Sequence, residues 1–248
     1  MAALRIEPVV EVLGDAEFDL WPVVGRDGSW YQVLHGDLTE REVGTAVHQV
    51  LRWFYDDDQG SPAPTIEDYL GRALAPHGPG DAQLMASGGV RFTDTVTGAT
   101  ILPGCCYMVD ERSEILDVVD GRRPGCWLGH DPDGGVTLRE GVVEVTQASE
   151  GRRPTLLRFP ADEVRAAFDR AESDLDRFCD LVVTWATTHT PGQAHTLTNA
   201  VARALGASSH QSGERSAAGG GDGDGREGGT VGTGAAYQEW WSQGDSNP

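Results

Sequence analysis

The sequence predicts an α+β fold: a largely antiparallel sheet with flanking helices, one long C-terminal helix and a disordered Gly-rich tail. Three observations carry that expectation. Short β-branched and aromatic runs flank the hairpin-type turns Thr95-Val-Thr-Gly98 and Glu140-Gly141, which is how antiparallel strands read in sequence. Thr39 with Glu42, and Thr65 with Asp68, carry capping-box spacing and so open helices. Val164, Phe168, Ala171, Leu175, Phe178, Val182 and Trp185 recur at alternating steps of 4 and 3, a helical apolar seam.

In chain order, Arg5 to Leu13, Leu20 to Val24 and Ser29 to Leu34 read as strands, with Gly25 to Gly28 turning between the last two. The first helix buries Val43, Val47, Val50, Leu51 and Phe54 and ends at the acidic stretch Asp56-Asp57-Asp58; the second runs from Thr65 to about Leu74. The middle of the chain supplies Gly89 to Phe92, Ala99 to Leu102, a short helix from Glu111 to Val119 closed by Gly121, and a strand at Cys126-Trp-Leu-Gly. Val136 to Leu138, Val142 to Thr146 and Thr155 to Phe159 complete the strands. Pro160 suits a first helical position, and the seam helix follows until Thr188 to Pro191 breaks it. Its seam is expected to lie on the chain's own sheet or helices, with an intermolecular coiled coil as the alternative. A last helix spans Gly192 to Leu205, with Gly206 as its cap.

The organisation expected is one α+β domain over residues 1–206, with 1–80 as a candidate subdomain, a disordered linker over 207–236 and an aromatic C-terminal motif over 237–248. The linker is Gly, Ser, Ala, Asp and Thr with almost no large apolar side chain, too little to offset the entropy of ordering it. Tyr237, Trp240 and Trp241 after it read as anchors of a linear motif for a groove on a partner or on this chain itself.

The 248 residues carry 39 acidic against 19 basic side chains, a formal net charge of −20. Like-charge repulsion argues against binding nucleic acid or an anionic membrane. The first residues lack the basic segment, apolar run and cleavage site of a signal peptide. Cys105, Cys106, Cys126 and Cys179 make no disulfide framework at this length. A cytoplasmic protein with reduced thiols is expected.

The chemistry-bearing residues crowd into Leu102-Pro-Gly-Cys-Cys-Tyr107 and Cys126-Trp-Leu-Gly-His130-Asp131-Pro132. Cys105 or Cys106 is a candidate thiol nucleophile, with His130 or His35 as base and Asp131 orienting the imidazole. Alternation along an extended chain would send the two adjacent thiols to opposite faces. Zinc would need Cys105 or Cys106 with Cys126 and His130, a spacing without a Cys-x-x-Cys knuckle, and no metal or cofactor is expected. Asp131-Pro-Asp133-Gly-Gly135 lacks the later ligands of a calcium loop and reads as a polar turn. No phosphate loop, Gly-x-Ser-x-Gly or His-Glu-x-x-His occurs. Trp127 joins the tail aromatics as a candidate for partner contact.

At Gly88-Gly-Val-Arg-Phe-Thr-Asp-Thr-Val-Thr-Gly98, Leu102-Pro-Gly-Cys-Cys106 and Trp127-Leu-Gly-His-Asp-Pro132 the chain resembles a group of uncharacterised actinobacterial proteins, over roughly residues 45–190. That resemblance implies a lineage, and it brings no activity and no catalytic residue. The absence of lysine and the presence of only two asparagines fit the coding bias of a GC-rich genome.

Strong acidity and the lack of a complete catalytic motif favour a non-enzymatic protein-binding module of the immunity or neutraliser type, steered to a basic partner. The alternatives are a thiol enzyme at Cys105/Cys106 and His130, and a scaffold or dimer built on the 164–185 helix.

Overall fold

The computed structural model describes residues 3–14, 18–25, 28, 30–52, 63–75, 84–148 and 153–207. Phe54, Asp56 to Asp58, the linker from residue 208 onward, Tyr237, Trp240 and Trp241 lie outside them. Contacts group residues 1–213 as one unit and 214–248 as another, and every described residue belongs to the first.

Eight strands form two antiparallel four-stranded sheets among the described residues. The first holds β1 (Leu4–Val12), β2 (Trp30–Val33), β3 (Gly88–Asp94) and β4 (Thr100–Ile101) in the order β2-β1-β3-β4. The second is the meander β5 (Gly125–Trp127), β6 (Gly134–Arg139), β7 (Val142–Gln147), β8 (Thr155–Pro160). Among the described residues five helices accompany them: α1 (Glu40–Arg52), α2 (Ile66–Ala73), α3 (Arg112–Val119), α4 (Ala161–His189) and α5 (Ala194–Ala204). The fold is α+β, as the sequence predicts.

The local signals act as their chemistry requires. Thr39 and Glu42 close a reciprocal box, with Thr39 N–H donating to Glu42 Oε2 at 2.8 Å and Glu42 N–H to Thr39 Oγ1 at 3.4 Å. Asp68 N–H donates to Thr65 Oγ1 at 3.1 Å, which starts α2. Glu140 and Gly141, at φ 50° and 79°, make the left-handed turn that joins β6 to β7. All seven seam residues of α4 are buried.

Two apolar cores result among the described residues, and α4 runs through both. In the first core Leu175, Phe178, Val182 and Trp185 pack with Val47, Leu51, Tyr69 and Leu197; in the second Val164, Phe168 and Ala171 pack with Phe92, Ile115 and Val143. Strand β1 does the same, with Leu4 and Ile6 in one core and Val10 and Val12 in the other.

Some expectations are corrected. Leu20 to Val24 is not a strand. It lies across α1, where Trp21 Nε1 donates to the Gly44 carbonyl at 2.9 Å and Val24 N–H donates to Thr45 Oγ1 at 2.8 Å. Gly44 permits this approach, since a Cβ there would sit 2.6 Å from Pro22 O. Pro160 is the last residue of β8 and the N-cap of α4, with ψ 140°, so the helix proper begins at Ala161. The last helix begins at Ala194 rather than Gly192. Ala207, the first residue of the expected linker, is buried and donates its N–H to Ala202 O at 2.9 Å, extending the cap of α5.

Candidate functional site

Residues 102–107 and 127–130 form two segments that cross each other and are joined by backbone hydrogen bonds. The first of them follows β4. Tyr31 Oη donates to Pro103 O at 2.8 Å, and Gln147 Nε2 of β7 donates to Leu102 O at 2.6 Å. The Tyr107 ring lies over Gly89, where a Cβ would stand 2.6 Å from Tyr107 Cδ1. The other segment leaves β5 at Trp127 and passes Leu128 and Gly129 to His130. Gly104 N–H donates to Leu128 O at 2.7 Å, Cys105 N–H to His130 O at 2.6 Å, and His130 N–H to Cys105 O at 3.2 Å.

Two glycines allow that crossing. A Cβ on Gly104 would lie 2.6 Å from His130 O, and one on Gly129 would lie 2.6 Å from both Gly104 C and Gly104 O. Gly129 also has φ 97°, a left-handed conformation that glycine adopts at little cost. In the sequence Leu128-Gly129 reads as the end of a strand; β5 ends instead at Trp127, and the contact of Leu128-Gly129 with Pro103-Gly104 joins segments too far apart in the chain to be legible there.

Cys105, Cys106 and His130 present their ligand-type atoms within 4.8 Å of one another. Cys105 and His130 are direct partners of an isolated antiparallel bridge, so their side chains leave on one face. Cys106 has φ 63°, which breaks the alternation and turns its thiol back beside its neighbour: the two Sγ atoms are 3.3 Å apart. The expectation of one inward and one outward thiol is therefore corrected, because alternation assumes an extended backbone that Cys106 does not have. Cys105 is exposed and Cys106 half-buried.

Burial pushes the Cys106 thiol up to about 11, with Cys105, Glu11 and Glu111 adding to the shift. Glu11 faces Tyr31 across the β1–β2 pair, and its own carboxyl is raised by burial. The Asp131 carboxylate lies 3.8 Å from His130 Nδ1, and the Trp127 and His130 rings meet edge to face at 5.7 Å.

The remaining candidates lie elsewhere. Cys126 sits on β5 opposite Val136 and packs against the second core, apart from the Cys105–Cys106–His130 group. Burial pushes its thiol up to about 12. Cys179 is buried in α4 and is likewise raised to about 12 by burial. His35 follows β2 and accepts the Asp37 N–H on Nδ1 at 3.1 Å.

Trp127 is 46% exposed on the outer strand of the second sheet. Its Nε1 donates to Asp133 Oδ1 at 2.9 Å, which holds the indole over the polar turn after His130. Beside it runs a shallow groove of about 710 Å³ along β5 and β6, lined by Arg123, Cys126, Trp127, Asp133, Thr137 and Thr146. Among the described residues no helix is long and apolar enough to cross a membrane.

No protein-family model, curated protein or solved structure matches the chain.

Proposed function

We propose that the chain is a non-enzymatic protein-binding module of the immunity or neutraliser type, and that it takes a basic protein partner on the face around β5. The observation that supports this most is Trp127: a large aromatic, nearly half exposed and pinned by Asp133, on an edge strand beside an open groove. Edge strands offer unpaired backbone groups to a partner, and tryptophan is the residue type most enriched at energetic centres of interfaces. A net charge of −20 would steer a basic partner and repel nucleic acid or an anionic membrane. Four free cysteines suit a reducing, cytoplasmic setting. The seam of α4, the support for a scaffold reading, is taken up by the chain's own cores.

A second reading has one observation in its favour. Cys105 or Cys106 could act as a nucleophile with His130 as base and Asp131 orienting it, because these groups do meet. Against it stands the raised Cys106 thiol, since a catalytic cysteine depends on a stabilised thiolate.

The test is affinity capture from the native host with the full chain and with Trp127→Ala. The module reading expects a basic polypeptide that binds the wild-type chain, leaves with rising salt and is lost with Trp127→Ala. A basic ligand indifferent to Trp127, or none at all, would overturn it. Alkylation of the reduced protein at neutral pH, resolved by peptide mapping, weighs the second reading. Cys106 should react at least about tenfold slower than a free thiol, since little of it is thiolate. Fast labelling of Cys105 or Cys106 that His130→Ala abolishes would favour the enzyme.

A further inference from the structure

We propose that Cys105, Cys106 and His130 form a binding site for a thiophilic divalent cation, Zn²⁺, held by three protein ligands with a fourth position open to solvent. Sequence spacing argues against this, because two adjacent cysteines on a regular strand point apart. The structure removes that objection through the left-handed backbone of Cys106, which places the two Sγ atoms 3.3 Å apart on one side of the chain.

Distances support the assignment. Tetrahedral Zn²⁺ with Zn–S near 2.3 Å sets its two sulfurs about 3.8 Å apart, and a sulfur and an imidazole nitrogen about 3.5 Å apart. The two thiols therefore need to open by about 0.5 Å, and the imidazole to close by little more than 1 Å from its present limit of 4.8 Å. Side-chain rotation supplies shifts of that size without moving the backbone. The backbone is fixed already, since the paired Cys105–His130 bonds and the Gly104–Gly129 crossing hold the two segments together. Of the described residues, this is the one group of three such side chains that converges.

The surroundings favour a cation. Glu11 and Glu111 act on Cys106 as negative charges. The Asp131 carboxylate stands by His130 Nδ1 at 3.8 Å, where it can orient the ring as outer-sphere carboxylates do in zinc sites. Exposure of Cys105 and His130 gives the ion its entry path. The binding step balances simply: each thiol S–H bond breaks, a sulfur–metal bond forms, and the proton goes to solvent. Imidazole coordinates through a nitrogen lone pair. Uptake at neutral pH thus releases about two protons per cation, and affinity falls as pH is lowered.

The experiment uses the full chain, kept reduced with a phosphine, and titrates it first with Co²⁺ and then with Zn²⁺. One Co²⁺ per chain should bind with thiolate-to-cobalt charge-transfer absorption in the near ultraviolet, and Zn²⁺ should displace it. Calorimetry in buffers of different ionisation enthalpy should return about two protons released per Zn²⁺. Cys105→Ser, Cys106→Ser and His130→Ala should each weaken Zn²⁺ binding by more than the roughly 10–100-fold that loss of an outer-sphere partner costs. Cys126→Ala should leave it unchanged. All four variants sit on surface loops or an edge strand, and circular dichroism confirms that each is folded. Absence of the charge-transfer band from the reduced wild-type chain would overturn the proposal, as would a band that survives Cys105→Ser and Cys106→Ser.

Discussion

Gly129 decides more about the site than any charged residue does. Its φ of 97° and its 2.6 Å clearance to Gly104 leave no room for a side chain. Gly129→Ala should therefore cost about 1–3 kcal/mol in backbone strain and move His130 away from Cys105. Urea denaturation measures the first effect, and cross-linking of the Cys105–Cys106 pair to residue 130 through a His130→Cys reporter measures the second. A variant as stable as wild type, with cross-linking intact, would show that the crossing tolerates a Cβ. Arg112 is the second residue on which much depends. It is 4% exposed, yet it donates to both carboxylate oxygens of Glu172 at 2.8 Å, to Val109 O at 2.8 Å and to Leu205 O at 2.5 Å. Arg112→Ala takes this donor from the buried Val109 and Leu205 carbonyls while Glu172 keeps access to water, and should cost about 1–3 kcal/mol, read from the urea midpoint. A loss under about 1 kcal/mol would mean that water replaces the guanidinium. Neither residue was singled out in the sequence. A buried arginine looks like any other arginine until its neighbours are known, and the cysteine–histidine encounter depends on two turns that do not adjoin in the chain.

At the scale of elements the sequence was far more legible, because capping and periodicity are local. The Thr39–Glu42 and Thr65–Asp68 boxes, the Glu140–Gly141 turn and the seven-residue seam of α4 all act where they were read. Leu20 to Val24 reads as a strand yet lies on α1, for a tertiary reason. A short apolar run can pair in a sheet or lie on a helix, and here Gly44 opens the helix surface to it. The seam itself permits a quantitative check. Phe178 is 1% exposed and packs in the first core, so Phe178→Ala should cost about 3–5 kcal/mol. Thermal and urea unfolding of the variant measure it. A cost below about 1 kcal/mol would place this face of α4 against solvent, contrary to its burial. Gly44→Ala should also destabilise despite alanine's better helix propensity, since its Cβ would meet Pro22 O at 2.6 Å.

At the scale of the molecule, two cores share two continuous elements. α4, about 43 Å long at 1.5 Å per residue, carries Phe168 into one core and Phe178 into the other. β1 carries Ile6 into one and Val10 into the other. Opening either core alone would break a helix in mid-length and strip half a strand from its ladder, which exposes apolar surface and leaves backbone groups unpaired at the break. The two cores of residues 3–207 should therefore unfold together. Leu51→Ala weakens the first core and Ile115→Ala the second, each by about 2–5 kcal/mol, since both side chains are fully buried. Hydrogen exchange across a urea series separates the outcomes, with amides of α1 reporting one core and amides of β6 and β7 the other. A shared unfolding unit requires that each variant lower both sets of protection at the same urea concentration, with the denaturant slope unchanged. If Leu51→Ala melts α1 while β6 and β7 keep their wild-type midpoint, the cores are independent, and α4 is a linker between them rather than a common spine.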